Sequence, residues 1–165
     1  MNHNCVVVAG GTRARFFKLQ EAEFPEVEPG PNLLEVNDLI DPQRQAHDGQ
    51  LWSEAKSGRN RGPNGGPAHG YDDHRSQHED EFERRFARSV AEETARLARE
   101  QKARNVVLVA QKRILGFLRH ELESLARAGI TIRELPKDLS KLSPHELHEH
   151  LAREKLVPKR RRPMS

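Results

Sequence analysis

The sequence predicts an α/β fold: a mixed five-stranded sheet, an antiparallel meander followed by a βαβ unit, with helices on both faces. Three observations carry this. Val106-Val107-Leu108-Val109-Ala110 has no polar interruption, the pattern of a parallel strand covered on both sides. Ile114, Leu118, Leu122 and Leu125 then recur at helical spacing, while Arg113, Arg119, Glu121, Glu123 and Arg127 take the other faces. Gly129 supplies a helix stop, and Ile130 to Leu135 alternates with a period of two, so 106–135 reads as one right-handed βαβ unit.

The elements before and after it follow in order. Cys5 to Ala9 is a short apolar strand, and Gly10-Gly11 supplies the positive φ angles of a two-residue hairpin turn. Arg13 to Leu19 returns antiparallel with Phe16-Phe17 inside it. Gly10-Gly11-Thr12-Arg13 has a second reading as a phosphate loop, but no GxGxxG or GxxxxGK[ST] pattern follows. Pro25 to Pro31 breaks the chain, and Leu33 to Val36 with Leu39-Ile40 forms a third strand closed by Asp41-Pro42. Residues 54–75 lack periodicity and hold five Gly and two Pro, which predicts a long flexible loop.

Ser76-Gln77-His78-Glu79 reads as a capping box opening a helix to about Lys102, with the stripe Phe82, Phe86, Val90 and Leu97. Ser143-Pro144-His145-Glu146 repeats that signal for a last short helix whose buried residues are Leu147 and Leu151. Pro158 is expected to end order. The predicted organisation is one α/β domain over 1–153 and a disordered basic tail over 154–165, and this element order is that of a ribonuclease-H-like layer architecture. Fold alone assigns no chemistry.

Composition limits the function classes. Charged residues are 32% and hydrophobic ones 35% of the chain, enough for one modest core. The net charge of +3 is unevenly placed: residues 153–165 hold six cations against Glu154, a local +5 that leaves −2 for the rest. Cys5 is the only cysteine, which excludes an intramolecular disulfide, and its neighbours Val6-Val7-Val8 mark it as a small core hydrophobe. The chain opens without a basic segment followed by a long apolar stretch, and no run approaches the ~20 apolar residues of a membrane helix. The expected compartment is the cytoplasm.

Candidate chemistry is sparse. His69, Asp72, Asp73, His74, His78, Glu79, Asp80 and Glu81 form the densest polar cluster, but a cap at Ser76 leaves His74 outside the helix and no thiolate joins. The reading preferred here is solvated acids complementing a helix N-terminus, with no metal. The chain has no GxSxG elbow, and no enzymatic activity or cofactor is expected. His145, His148 and His150 do not converge on one helical face and read as surface histidines. Lys56, Arg59 and Arg61 stand together in the long loop, suited to phosphate contact or simply solvated. Lys159-Arg160-Arg161-Arg162 is a strong electrostatic signal of weak specificity, and one Trp and one Tyr leave little for base stacking.

The chain resembles the bacterial host attachment proteins over roughly residues 5–151. The pieces that carry the resemblance are Thr12-Arg13-Ala14-Arg15-Phe16-Phe17, Asp41-Pro42 with Arg44 and His47, Ser57-Gly58-Arg59, and His78-Glu79 before Phe82 and Phe86-Ala87. Leu108-Val109-Ala110 before Leu115-Gly116-Phe117-Leu118-Arg119, and Lys137-Asp138-Leu139-Ser140-Lys141-Leu142-Ser143, complete them. The sequence departs at Gln111-Lys112, where the family often has prolines. That family is similar to the central domain of archaeal and eukaryotic class 1 peptide-release factors and Pelota. There a Gly-Gly-Gln tip promotes peptidyl-tRNA hydrolysis; here Gly65-Gly66-Pro67 lacks the glutamine, and Asp48-Gly49-Gln50 lies too early to replace it. The resemblance therefore implies a ribosome- or RNA-associated translation or stress factor without release chemistry, with ribosomal or transfer RNA as partner. The RNA-binding set expected is Lys56, Arg59, Arg61, Lys112, Arg113, Lys159, Arg160, Arg161 and Arg162. The alternative is an interaction protein contributing to attachment to host cells.

Overall fold

The computed structural model describes residues 4–41 and 68–163, with side chains in the second stretch described from Asp80 onward. The strands are β1 (Asn4–Ala9), β2 (Arg13–Gln20), β3 (Asn32–Ile40), β4 (Asn105–Val109) and β5 (Thr131–Leu135). The helices are α1 (Ala68–Glu100), α2 (Lys112–Glu121), α3 (Glu123–Arg127) and α4 (Pro144–Arg153). The sheet order is β3-β2-β1-β4-β5. β1 pairs antiparallel with β2 and parallel with β4, β3 continues the meander, and β5 lies parallel to β4. This is the expected mixed five-stranded α/β sheet.

The unbroken apolar runs exist because the central strands have two covered faces. Cys5 and Val7 of β1, Phe16 of β2, and Val106 and Leu108 of β4 pack with Phe86, Val90 and Leu97 of α1, Ile114 and Leu118 of α2, and Leu122 and Leu125 beyond. On the opposite face Val6, Val8, Phe17, Val107 and Val109 meet Leu147 and Leu151 of α4 and Val157. Each such buried side chain stabilises by about 1.5–3 kcal/mol, so every residue of the run contributes to one of two cores. Cys5 is fully buried, and burial pushes its thiol up to about 12, which suits a core hydrophobe.

Several local expectations are corrected. Neither Gly10 nor Gly11 adopts a left-handed conformation; the β1–β2 link is the three residues 10–12, closed by the Gly10 amide donating to the Arg13 carbonyl at 2.7 Å. The helix expected from Ser76 starts at Ala68, eight residues earlier, so Ser76 is an interior residue and residues 68–75, expected in the long loop, are helical. The rest of the loop expected over 54–75 lies outside the described residues. Asp80 and Glu81 consequently lie far from the N-terminal turn and do not complement the helix dipole. The single helix expected after β4 is interrupted at Leu122 (φ −102°, ψ 11°), which divides α2 from α3.

Helix ends set the remaining geometry. Gly129 has φ 96°, with its amide on Ala126 and that of Ile130 on Leu125, the six-to-one and five-to-two bonds of a Schellman stop. α1 and α4 end the same way without glycine. Lys102 (φ 51°) and Lys155 (φ 60°) take the left-handed position, with Ala103 bonded to Ala98 and Leu156 to Leu151. At the start of α4 the expected capping box is present: Glu146 donates its amide to Ser143 Oγ and accepts from the Ser143 amide, which holds the Glu146 carboxyl below its ordinary value.

Candidate functional site

Placement of α4 begins at β2. Arg15 is nearly buried, and its guanidinium forks onto Glu35 (2.8 and 3.1 Å) while Nη1 donates to the carbonyls of Ser140 (3.1 Å) and Leu142 (2.6 Å). The same group lies 5.0 Å from the centre of the Phe17 ring. A planar, permanently charged fork is the side chain that can satisfy a carboxylate and two carbonyls together. It fastens the 138–142 segment, and thus the N-terminus of α4, to the sheet. Two stretches quoted for the family resemblance, at 12–17 and 137–143, meet in this clamp.

Beyond α4 the chain does not disperse into a tail. Arg133 of β5 donates to the carbonyls of Lys155 and Leu156 at 3.3–3.4 Å, completing the end of the helix. Val157 is buried in the α4-side core, and the Pro158 carbonyl lies 2.9 Å from His148 Nε2. Arg160 Nε donates to Asn32 Oδ1 at 2.8 Å. Arg161 then exchanges two backbone hydrogen bonds with Gly30, 3.1 and 2.8 Å long. Residues 157–162 therefore form a strap bound beside the start of β3. The expectation that order ends at Pro158 is overturned, because backbone pairing with a distant glycine leaves no trace in composition. His148, expected on the surface, is buried and holds this strap.

Between α4 and the strap lies an open cleft of about 780 Å³, with His145, His148, Glu149 and Arg153 on the helix side and Lys159, Arg160, Arg161 and Arg162 on the strap side. Five cations face one carboxylate, a local charge of +4, and that carboxylate is 3.1 Å from His145 Nε2. Among the described residues no ion pair engages Arg153 or the four strap cations, and all five are exposed. On its other side the strap borders a smaller hollow of about 270 Å³, lined by Lys159, Arg161 and Arg162 as well, where Glu21 and Glu28 temper the charge.

Of the other expected site residues, those described do not join this face. Lys56, Arg59 and Arg61 fall outside the described residues. Lys112 is exposed at the start of α2, but Arg113 pairs with Asp80 and, at 2.7 Å, with Glu83 of α1, so it joins two helices. Moreover α2 packs on the opposite sheet face from α4, which separates Lys112 and Arg113 from the strap by the thickness of the sheet. Sequence reasoning missed Arg153 and His148 as cleft residues. His148 lies three positions before Leu151 and next to Leu147, a spacing that does place it on the buried arc. Among the described residues no group of three His, Cys, Asp or Glu side chains is arranged to hold a metal ion, and no helix is long and apolar enough to cross a membrane.

These features define a layered α/β domain whose distinguishing surface is a fixed cationic cleft. Residues 5–151 match the family model described as protein required for attachment to host cells, and the chain belongs to that family. Comparison with curated proteins gave no match. The family match corrects the expected function: the chain is placed among attachment proteins, not ribosome- or RNA-associated translation and stress factors, and ribosomal and transfer RNA fall away as partners. The physical weakness of that expectation lies in the site itself. One of its cations, Arg113, is neutralised by α1, and no Phe, Tyr or Trp lines the cleft to stack on a base.

Proposed function

We propose that this protein is a non-enzymatic interaction protein contributing to attachment to host cells, and that its working surface is the cleft between α4 and the strap. The observation that supports this most is the contrast in pairing: most arginines of the body engage a carboxylate, while the five cations of this cleft engage none among the described residues. Unpaired, preplaced charge is available to a partner without first breaking an internal bond. A non-catalytic role is supported by the histidines, since His148 serves the strap and His145 pairs with Glu149. The likeness to release-factor central domains is proposed as one of fold alone, supported by the order of meander, long helix and βαβ unit.

The test is deletion of the gene followed by complementation and counting of bound cells. Deletion should lower attachment and the wild-type chain should restore it. Unchanged attachment in the deletion strain overturns the reading. Recovery of the protein only from the cytosol overturns direct contact with the host.

A further inference from the structure

We propose that the cleft between α4 and the strap binds an acidic polysaccharide of the host surface, a carboxylated or sulfated chain laid along residues 159–162. This rests on the attachment reading and names the class of partner. The argument is one of shape and chemistry together. The strap carries four consecutive cations, Lys159 to Arg162, that line the cleft opposite α4. Its position is fixed at three points, the Gly30–Arg161 backbone pair, Arg160 on Asn32, and Pro158 on His148. The cations are therefore carried on a backbone already immobilised, which lowers the ordering entropy that a flexible basic tail would lose on binding.

The lining decides among polyanions. No Phe, Tyr or Trp lines the cleft, and its two imidazoles are engaged, His148 with the Pro158 carbonyl and His145 with Glu149. Neither a nucleic acid base nor the apolar face of a neutral sugar therefore finds a free stacking platform. The two most exposed large apolar residues, Phe24 and Val27, sit in a segment with Glu21, Glu23, Glu26 and Glu28, and that acidity opposes an anionic membrane. What remains complementary to a cleft of charge +4 is a polymer recognised through regularly spaced anions.

The experiment measures binding of the purified full chain to polygalacturonate and to heparin, with neutral dextran, a homopolymeric RNA and anionic phospholipid vesicles as comparison ligands. Three proteins are compared: wild type, the triple variant Lys159→Ala, Arg161→Ala, Arg162→Ala, and a control of equal charge change, Lys102→Ala, Arg104→Ala, Lys112→Ala. Arg160 is left in place because it holds Asn32, and thermal melts confirm that all three fold. Binding to at least one acidic polysaccharide, weakened by salt, reduced about tenfold or more in the strap variant and within about twofold in the control, is the expected result. Equal binding by all three proteins, no binding to either polysaccharide, or tighter binding to the RNA or the vesicles overturns the proposal. Complementation separates this from the broader reading. A strap variant that restores attachment fully removes the cleft proposal alone, whereas a deletion strain that attaches normally removes the attachment function itself.

Discussion

Arginines on β2 and arginines on the strap are the same residue in opposite electrostatic situations. Arg13 pairs with Asp38 (2.7 Å) and Arg15 with Glu35, both across the β2–β3 pairing, and Arg15 also saturates two carbonyls. Arg161 and Arg162 are held by their backbone or neighbours and have no carboxylate partner among the described residues. The difference teaches where stability and recognition reside. In β2 the charge is consumed in building the fold, and removal of Arg15 leaves a carboxylate and two part-buried carbonyls unmatched. In the strap the backbone does the building, which frees the charge for a partner.

The largest effect should come from breaking the first kind of site. Arg15→Ala leaves Glu35, Ser140 and Leu142 without their donor and should destabilise the domain by about 3 kcal/mol, measured by urea unfolding. Arg15→Lys should recover only part of this, since an ammonium cannot reproduce the fork. The strap triple variant should change stability by less than about 0.5 kcal/mol. Comparable losses in the two variants would abolish the distinction.

Second in size is the seam that fixes the strap. A Cβ at Gly30 would lie 2.8 Å from Ala22 Cβ and 2.9 Å from its backbone nitrogen, so Gly30→Ala must displace the edge that pairs with Arg161. A loss of about 1–2 kcal/mol is expected, with faster amide exchange at Arg161 than in the wild type. Unchanged exchange there would show that the seam does not hold the strap.

Smaller and opposite in sign is Lys155→Gly. Lys155 occupies the left-handed position at the end of α4, where a side chain is strained and glycine is not. After the added entropy of glycine in the unfolded chain, a net gain of about 0.5 kcal/mol is expected in the same unfolding assay. Destabilisation would mean that the lysine side chain contributes more at this helix end than its backbone costs.

These three helix ends also show what a sequence discloses. The stop at Gly129 was legible because glycine announces a left-handed residue, whereas Lys102 and Lys155 perform the same bend with a residue that announces nothing. Ser143 to Glu146 was read correctly as a cap, yet the identical logic failed at Ser76. A capping box reports that a start is possible there, and α1 continues upstream through it. The βαβ unit was legible because hydrophobic period depends on local residues. Pairing was not. Arg113 looked free because Asp80 and Glu83 lie about nine helical turns back along the chain, by sequence distance at 3.6 residues per turn, and Pro158 looked terminal because Gly30 is remote. The cleft depends on such long-range contacts, so its strap cations could be named from sequence while their arrangement, and the part of Arg153, could not.

The smallest effect concerns acid. Asp38 is held below its ordinary carboxyl value of 3.8, first by the hydrogen bond from Arg13 and then, against the opposing effect of desolvation, by the charges of Arg13 and Arg15. A depressed folded value means that its contribution to stability is fully present above the unfolded value and is lost as pH falls through the lowered one. The pair is half exposed, so solvent screening keeps this contribution small. Arg13→Ala should move the Asp38 titration upward toward 3.8, followed by the carboxyl carbon shift in NMR, and should flatten the stability loss below that pH. The strap triple variant should leave the Asp38 titration unmoved, because its charges face the cleft beside α4. A strap variant that shifted Asp38 as far as Arg13→Ala does would mean that the two arginine groups act through one shared field, and the separation between charge that builds the fold and charge left for a partner would fail.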